Sequence, residues 1–105
     1  MEQFDLYVNT DRDTNQIYPY FVDIQTDLLR DLNSRVVIPL TPVQEPDKTY
    51  PRNLCPVVEV NNKKFALLTH QLTSVSISFL KRKEISLASN RDDIVAAIDF
   101  LVTGI

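Results

Sequence analysis

Residues 90–105, NRDDIVAAIDFLVTGI, decide the fold. Ile94, Ile98, Leu101 and Ile105 recur at i, i+4, i+7 and i+11, so the spacing predicts a helix with these side chains along one face. Val95 and Val102 widen that face, while Asp92, Ala96, Asp99 and Thr103 make a narrow strip toward water. Ser89 or Asn90 is placed to accept a hydrogen bond from a free N–H of the first turn. Asp92 and Asp93 sit at the positive end of the helix dipole, which favours carboxylates. Gly104, the only glycine in 105 residues, stands where helices commonly exit through a left-handed residue. Chain ends normally fray and are polar, yet this one stays apolar through Ile105. Two compatible readings follow. The helix covers the open side of a barrel, or its last residues anchor a contact with another protein.

Upstream of the helix the pattern is that of short strands. Phe4, Leu6 and Val8 alternate with Asp5 and Tyr7, the period of a half-buried strand. Residues 9–16 (NTDRDTNQ) form a polar loop. Residues 20–25 (YFVDIQ) alternate again after Pro19, and Leu28 beside Leu29 forces one leucine off the core if that strand continues. Val36, Val37 and Ile38 read as a central strand buried on both faces, with Pro39 ending its pairing. Residues 41–53 carry three prolines and read as a long surface loop or a loop with a frayed edge hairpin. Strand character resumes at 54–60; Asn61 and Asn62 signal a tight turn, because Asn tolerates positive φ, and 65–69 return. Val75, Ile77 and Phe79 alternate with Ser74, Ser76 and Ser78 more cleanly than any other stretch. Residues 81–84 (KRKE) then make a solvated turn, and 85–88 lead into the helix. Strands at short spacing with one terminal helix predict a mainly β fold, a small antiparallel barrel or roll, with residues 1–105 as a single domain.

Composition narrows the function. Hydrophobic content of 44% and charged content of 24% are those of an ordinary soluble globule, and burying roughly 65% of the unfolded surface suffices for a modest core. A net charge of −3 argues against nucleic acid as the main direct ligand, since phosphate binding needs a basic surface. The first residues (MEQFDLY) have neither a basic nor an apolar signal region, and no apolar run approaches a membrane span, so the expected location is the cytoplasm. A lone cysteine excludes an internal disulfide and a Cys-rich zinc site.

No catalytic constellation stands out. His70, the single histidine, has no partner fixed by the sequence and reads as a satisfied or exposed side chain at a strand end. Cys55, before Pro56, reads as a small buried apolar residue, with a reactive thiolate as the alternative. Asp11, Asp13, Asp23 and Asp27 lack metal-binding spacing, with Asp11 and Asp13 expected to face solvent, and one glycine cannot build a phosphate cradle. The expectation is a binding protein without catalytic residues, metal or cofactor.

Four stretches in order, FVDIQTDLL at 21–29, RVVIPL at 35–40, LTSVSIS at 72–78 and ISLASNRDDIVAAIDFLVTGI at 85–105, resemble the CcdB family of toxins. The resemblance runs from Phe4 to the last residue. It implies an SH3-like, partly open barrel with a C-terminal helix, a homodimer, and the toxic half of a plasmid or chromosomal toxin–antitoxin pair. It also implies binding to the A subunit of DNA gyrase, trapping that enzyme on cleaved DNA, with plasmid maintenance and autoregulated transcription as the setting. The residues carried over for that contact are Leu28, Leu29, Asp99, Val102, Thr103, Gly104 and Ile105. A cognate antitoxin with a disordered arm would fold as it wraps the toxin, and DNA would be met only through gyrase or the antitoxin complex. Two positions depart from the family pattern: Thr103 stands where the plasmid-borne form has tryptophan, and Ser74, Val75 and Ser76 replace Ser-Val-Pro. Two alternatives remain. One is a messenger-RNA-cleaving toxin of the MazF and Kid type, for which Arg35, Arg52 and residues 81–83 are the main basic groups. The other is a non-toxic relative that only binds antitoxin.

Overall fold

The computed structural model describes residues 1–44 and 49–104. Its strands are β1 (Asp5–Val8), β2 (Tyr20–Asp23), β3 (Ser34–Pro42), β4 (Val57–Val60), β5 (Lys63–Leu67), β6 (Thr73–Ser76) and β7 (Lys83–Ser86), followed by helix α1 (Arg91–Thr103). All pairings are antiparallel, in the order β4-β5-β3-β2-β1-β7, with β6 added to β3. The sheet curls into a half-barrel with one C-terminal helix, the mainly β architecture expected.

The nine-residue β3 organises this sheet. One edge pairs with β2, while the other pairs with β6 along Ser34, Arg35, Val36 and Val37 and then with β5 along Leu40, Thr41 and Pro42. Pro39 therefore does not end the strand. In a strand, a residue's N and C=O point to the same side, and the Pro39 carbonyl accepts from Leu68 N at 2.9 Å. The missing N–H of Pro39 thus faces the place where the ladder switches partners, and no bond is lost there. The loop expected at 41–53 starts later, because β3 runs through Pro42; residues 45–48 of it lie outside the described residues. The hairpin turn is as read: Asn61 and Asn62 have φ of 52° and 65°.

Several strand readings change. β1 is buried on both faces, since Asp5 and Tyr7 are buried with Phe4 and Leu6, whereas Val8 is only half-buried. Leu6 belongs to the main core, with Val22, Ile38, Leu40, Leu67 and Ile94, while Tyr7 packs with Val37 and Leu80 on the opposite face. The clean alternation at 74–79 is strand only as far as Ser76, and Ile77–Phe79 forms a 3-10 turn with exposed Ile77 and Phe79. The reason lies in the partner. β3 begins at Ser34, so beyond Ser76 the chain finds only the Asn33 carbonyl, bonded by Ile77 N at 3.0 Å, and the Ser76 hydroxyl caps the turn. Residues 81–84 also divide, since Lys83 and Glu84 already belong to β7.

α1 lies over the main core through Ile94 and Ala97, with Val95, Ile98 and Phe100 half-buried. The expected apolar stripe is shortened: Leu101 and Val102 are exposed, and Ile105 lies outside the described residues. Asp92, Ala96, Asp99 and Thr103 face water as the spacing predicts. No side chain caps the first turn. Instead a 3-10 turn, Ala88–Asn90, feeds into α1, with Asn90 N bonded to the Leu87 carbonyl at 2.8 Å. Gly104 ends the helix at φ 74°, its N–H on the Phe100 carbonyl at 2.9 Å. Nothing lies within 4 Å of where a Cβ would stand, so the backbone angle and not space selects glycine.

Candidate functional site

Leu28 and Leu29 do not continue β2. They lie on a 3-10 turn, Asp27–Leu29, and both point outward; Leu28 is 91% exposed. The turn begins at Thr26, whose hydroxyl accepts from Leu28 N at 3.4 Å, and the Arg30 side chain returns to the Asp27 carbonyl at 3.0 Å. An isoleucine-sized apolar side chain left in water forgoes roughly 1.5–3 kcal/mol of burial. Two such side chains side by side form a surface that gains free energy only when something covers it.

Beneath that turn lies a buried polar network. Arg35 is 1% exposed and Asp23 is fully buried, and they pair through Nη2 at 2.7 Å and Nε at 2.8 Å. Arg35 also donates to the Gln25 carbonyl at 3.2 Å and meets the Asp27 carboxylate at 3.5 Å. The Gln25 carboxamide donates to the carbonyls of Leu29 at 3.2 Å and Ser34 at 3.3 Å, and accepts from Val36 N at 3.1 Å. Gln3 N closes on Asp27 Oδ1 at 2.9 Å. Burial pushes the Asp23 carboxyl above the usual carboxylate value, while Arg35 and the Gln25 N–H pull the other way. Neither Gln25 nor this role of Arg35 is visible in the strand alternation. The available signal is three polar residues, Asp23, Gln25 and Arg35, in strands that otherwise read as apolar.

The second cluster of expected residues is the helix tip. Asp99, Val102, Thr103 and Gly104 are all exposed, Val102 at 74%. Thr103 donates its hydroxyl to the Asp99 carbonyl one turn back at 2.7 Å, so both residues are bound within the helix end. Besides the core, α1 makes its main element contacts with the 3-10 turns Thr69–Gln71 and Ala88–Asn90, and the Asp27–Leu29 turn is not among these main contacts. Within one chain the two clusters therefore belong to separate mounts.

Cys55 and His70 acquire a partner that the sequence leaves unassigned: each other. Cys55 Sγ lies 3.7 Å from His70 Nδ1, with the sulfur buried and the histidine exposed. Burial pushes the Cys55 thiol up, only partly opposed by a backbone hydrogen bond at Thr69, so the sulfur is held as a thiol and not as a nucleophilic thiolate. No cluster of metal-ligating side chains occurs among the described residues. Asp11 caps its own loop, accepting from Asp13 N at 3.0 Å and the Thr14 hydroxyl at 3.1 Å, and both aspartates face solvent.

The basic groups needed by a ribonuclease are further reduced, because Arg35 is sealed in the network and unavailable to a phosphate. That alternative is not favoured. Among the described residues no helix is long and apolar enough to cross a membrane. A family model described as CcdB protein matches residues 3–104. That match supports a toxin of a toxin–antitoxin pair. With a curled antiparallel half-barrel and one C-terminal helix filling the same span, the chain belongs to the CcdB protein family.

Proposed function

We propose that this protein acts by binding and not by catalysis: as a homodimer in the cytoplasm it engages the A subunit of DNA gyrase and traps the gyrase–DNA cleavage complex, until a cognate antitoxin removes it. The observation that carries the reading is apolar exposure at two of the expected places, Leu28 with Leu29 on their turn and Val102 at the helix tip. Desolvating such side chains against a partner is how a small acidic protein without a catalytic group obtains affinity. Leu28, Leu29, Asp99, Val102, Thr103, Gly104 and Ile105 are the proposed contact residues. Antitoxin binding is the proposed control, with DNA met only through gyrase or the antitoxin complex.

The test pairs cells with protein. Expression should arrest growth of cells with wild-type gyrase A and spare cells whose gyrase A carries a resistance substitution. Purified protein should bind the isolated A subunit and sediment at twice 12.1 kDa at micromolar concentration. Growth arrest that ignores the gyrase allele would overturn the target, and a clean monomer would remove the basis for a two-fold site.

A further inference from the structure

We infer that Gln25 and Arg35 are positioning residues for the Leu28–Leu29 contact: they touch no partner, but hold the turn in the shape that presents both leucines. The inference rests on the proposed function and deepens it. Three features of the geometry carry it. First, the Gln25 carboxamide is the piece that joins the turn to β3, with Leu29 O and Ser34 O on its nitrogen and Val36 N on its oxygen. All of its polar atoms are spent on backbone groups, so its function there is to fix one main-chain path relative to another. Second, Arg35 grips the start of the same turn, reaching the Gln25 carbonyl and Asp27 while it neutralises Asp23. Third, the turn has no buried side chain of its own. Apolar packing therefore cannot hold Asp27–Leu29 in place, and its conformation depends on these polar groups below it together with the Thr26, Arg30 and Gln3 bonds.

A rigid mount matters because exposed leucines on a loose turn must be ordered on binding, and that ordering reduces affinity. The network thus acts on binding by pre-ordering, at a distance from the partner surface.

The test is a binding cycle on the full-length protein with the purified gyrase A subunit as probe. Gln25→Met keeps the side chain's length and removes its polar atoms. It should weaken gyrase A binding about tenfold, within the range for coupled neighbouring residues. Amide hydrogen exchange at Leu28 and Leu29 should accelerate with it. In a Leu28→Ala/Leu29→Ala background, already weakened, the same change should cost less than about twofold, because little is left to position. Should Gln25→Met fail to fold, Asp27→Asn, at a half-exposed site, substitutes in the same cycle. An unchanged affinity in the folded variant overturns the inference, as does an equal loss with and without the leucines, which would mark a global effect. If Leu28→Ala/Leu29→Ala leaves gyrase A binding intact, the contact reading itself falls and this inference with it.

Discussion

The two exposed apolar clusters are mounted in opposite ways. Leu28 and Leu29 ride on a short turn that buries nothing of its own and is fastened from below by ionised and amide groups. Val102 rides on the last turn of α1, whose local support is the helix's own bonding: Thr103 to the Asp99 carbonyl and Gly104 N–H to the Phe100 carbonyl. The comparison teaches that one kind of surface can be made through tertiary polar contacts or through secondary structure alone. If the proposed contact holds, the first mount couples binding to stability. The second keeps them apart, because a helix terminus can be altered without disturbing the core that Ile94 and Ala97 fill.

The hardest way to break the turn's mount is Arg35→Met. It leaves the Asp23 carboxylate buried without its cation, and removing one partner of a buried pair costs about 3–5 kcal/mol. Chemical denaturation should show a loss of that size. A loss below about 1 kcal/mol, the scale of an exposed pair, would mean that the network is not the mount.

Alkaline pH costs less, through a buried phenol that feels the same ion pair. Tyr7 feels Asp5, Asp23 and Arg35, and burial first, then Asp5, pushes its phenol from about 10 up to about 12. The folded state therefore holds the proton more tightly than the unfolded chain. The stability it contributes is fully present below about 10 and is lost as pH rises toward 12, on the order of 2–3 kcal/mol. Unfolding free energies measured from pH 9 to 12 should show that fall, and Tyr7→Phe should flatten it. A fall of equal size in Tyr7→Phe would assign the loss to other groups.

At the helix tip the expected stability effect is much smaller. Deleting residues 103–105 removes the Gly104 exit and the Thr103 bond but no core side chain among the described residues, so unfolding should shift by no more than about 1 kcal/mol. Growth inhibition and gyrase A affinity should disappear, while antitoxin binding largely persists. A truncated protein that still arrests growth would remove the tip from the contact. A melting midpoint that drops steeply would place the tip in the core instead.

The least disruptive change is Thr103→Trp. It sacrifices the hydroxyl bond to Asp99 and adds an aromatic side chain to an exposed position, so stability should stay within about 0.5 kcal/mol. Gyrase A affinity should be kept or strengthened, since aromatic residues commonly dominate interface energetics. Weaker binding with an intact fold would show that the hydroxyl bond shapes the tip more than the added ring helps it.

What the sequence determined by itself is what depends on near neighbours. The helix, its water-facing strip, its left-handed exit at Gly104, the Asn61 and Asn62 turn and the presence of short strands follow from periodicity and backbone sterics, whereas the buried faces of β1 and β2 do not. The apolar excess at Leu28, Leu29 and Val102 was also legible, although not which of the two leucines faced out, since both do. Tertiary structure decided the rest. Pairing length set where strand became turn at Ile77, and the switch between β6 and β5 let Pro39 remain inside β3. Burial of Asp23, Gln25 and Arg35 needed two strands in register, because the ion pair joins residues twelve apart whose opposite charges make each other's burial tolerable. Local rules place such residues in water. Only the partner brought by the fold reverses that preference.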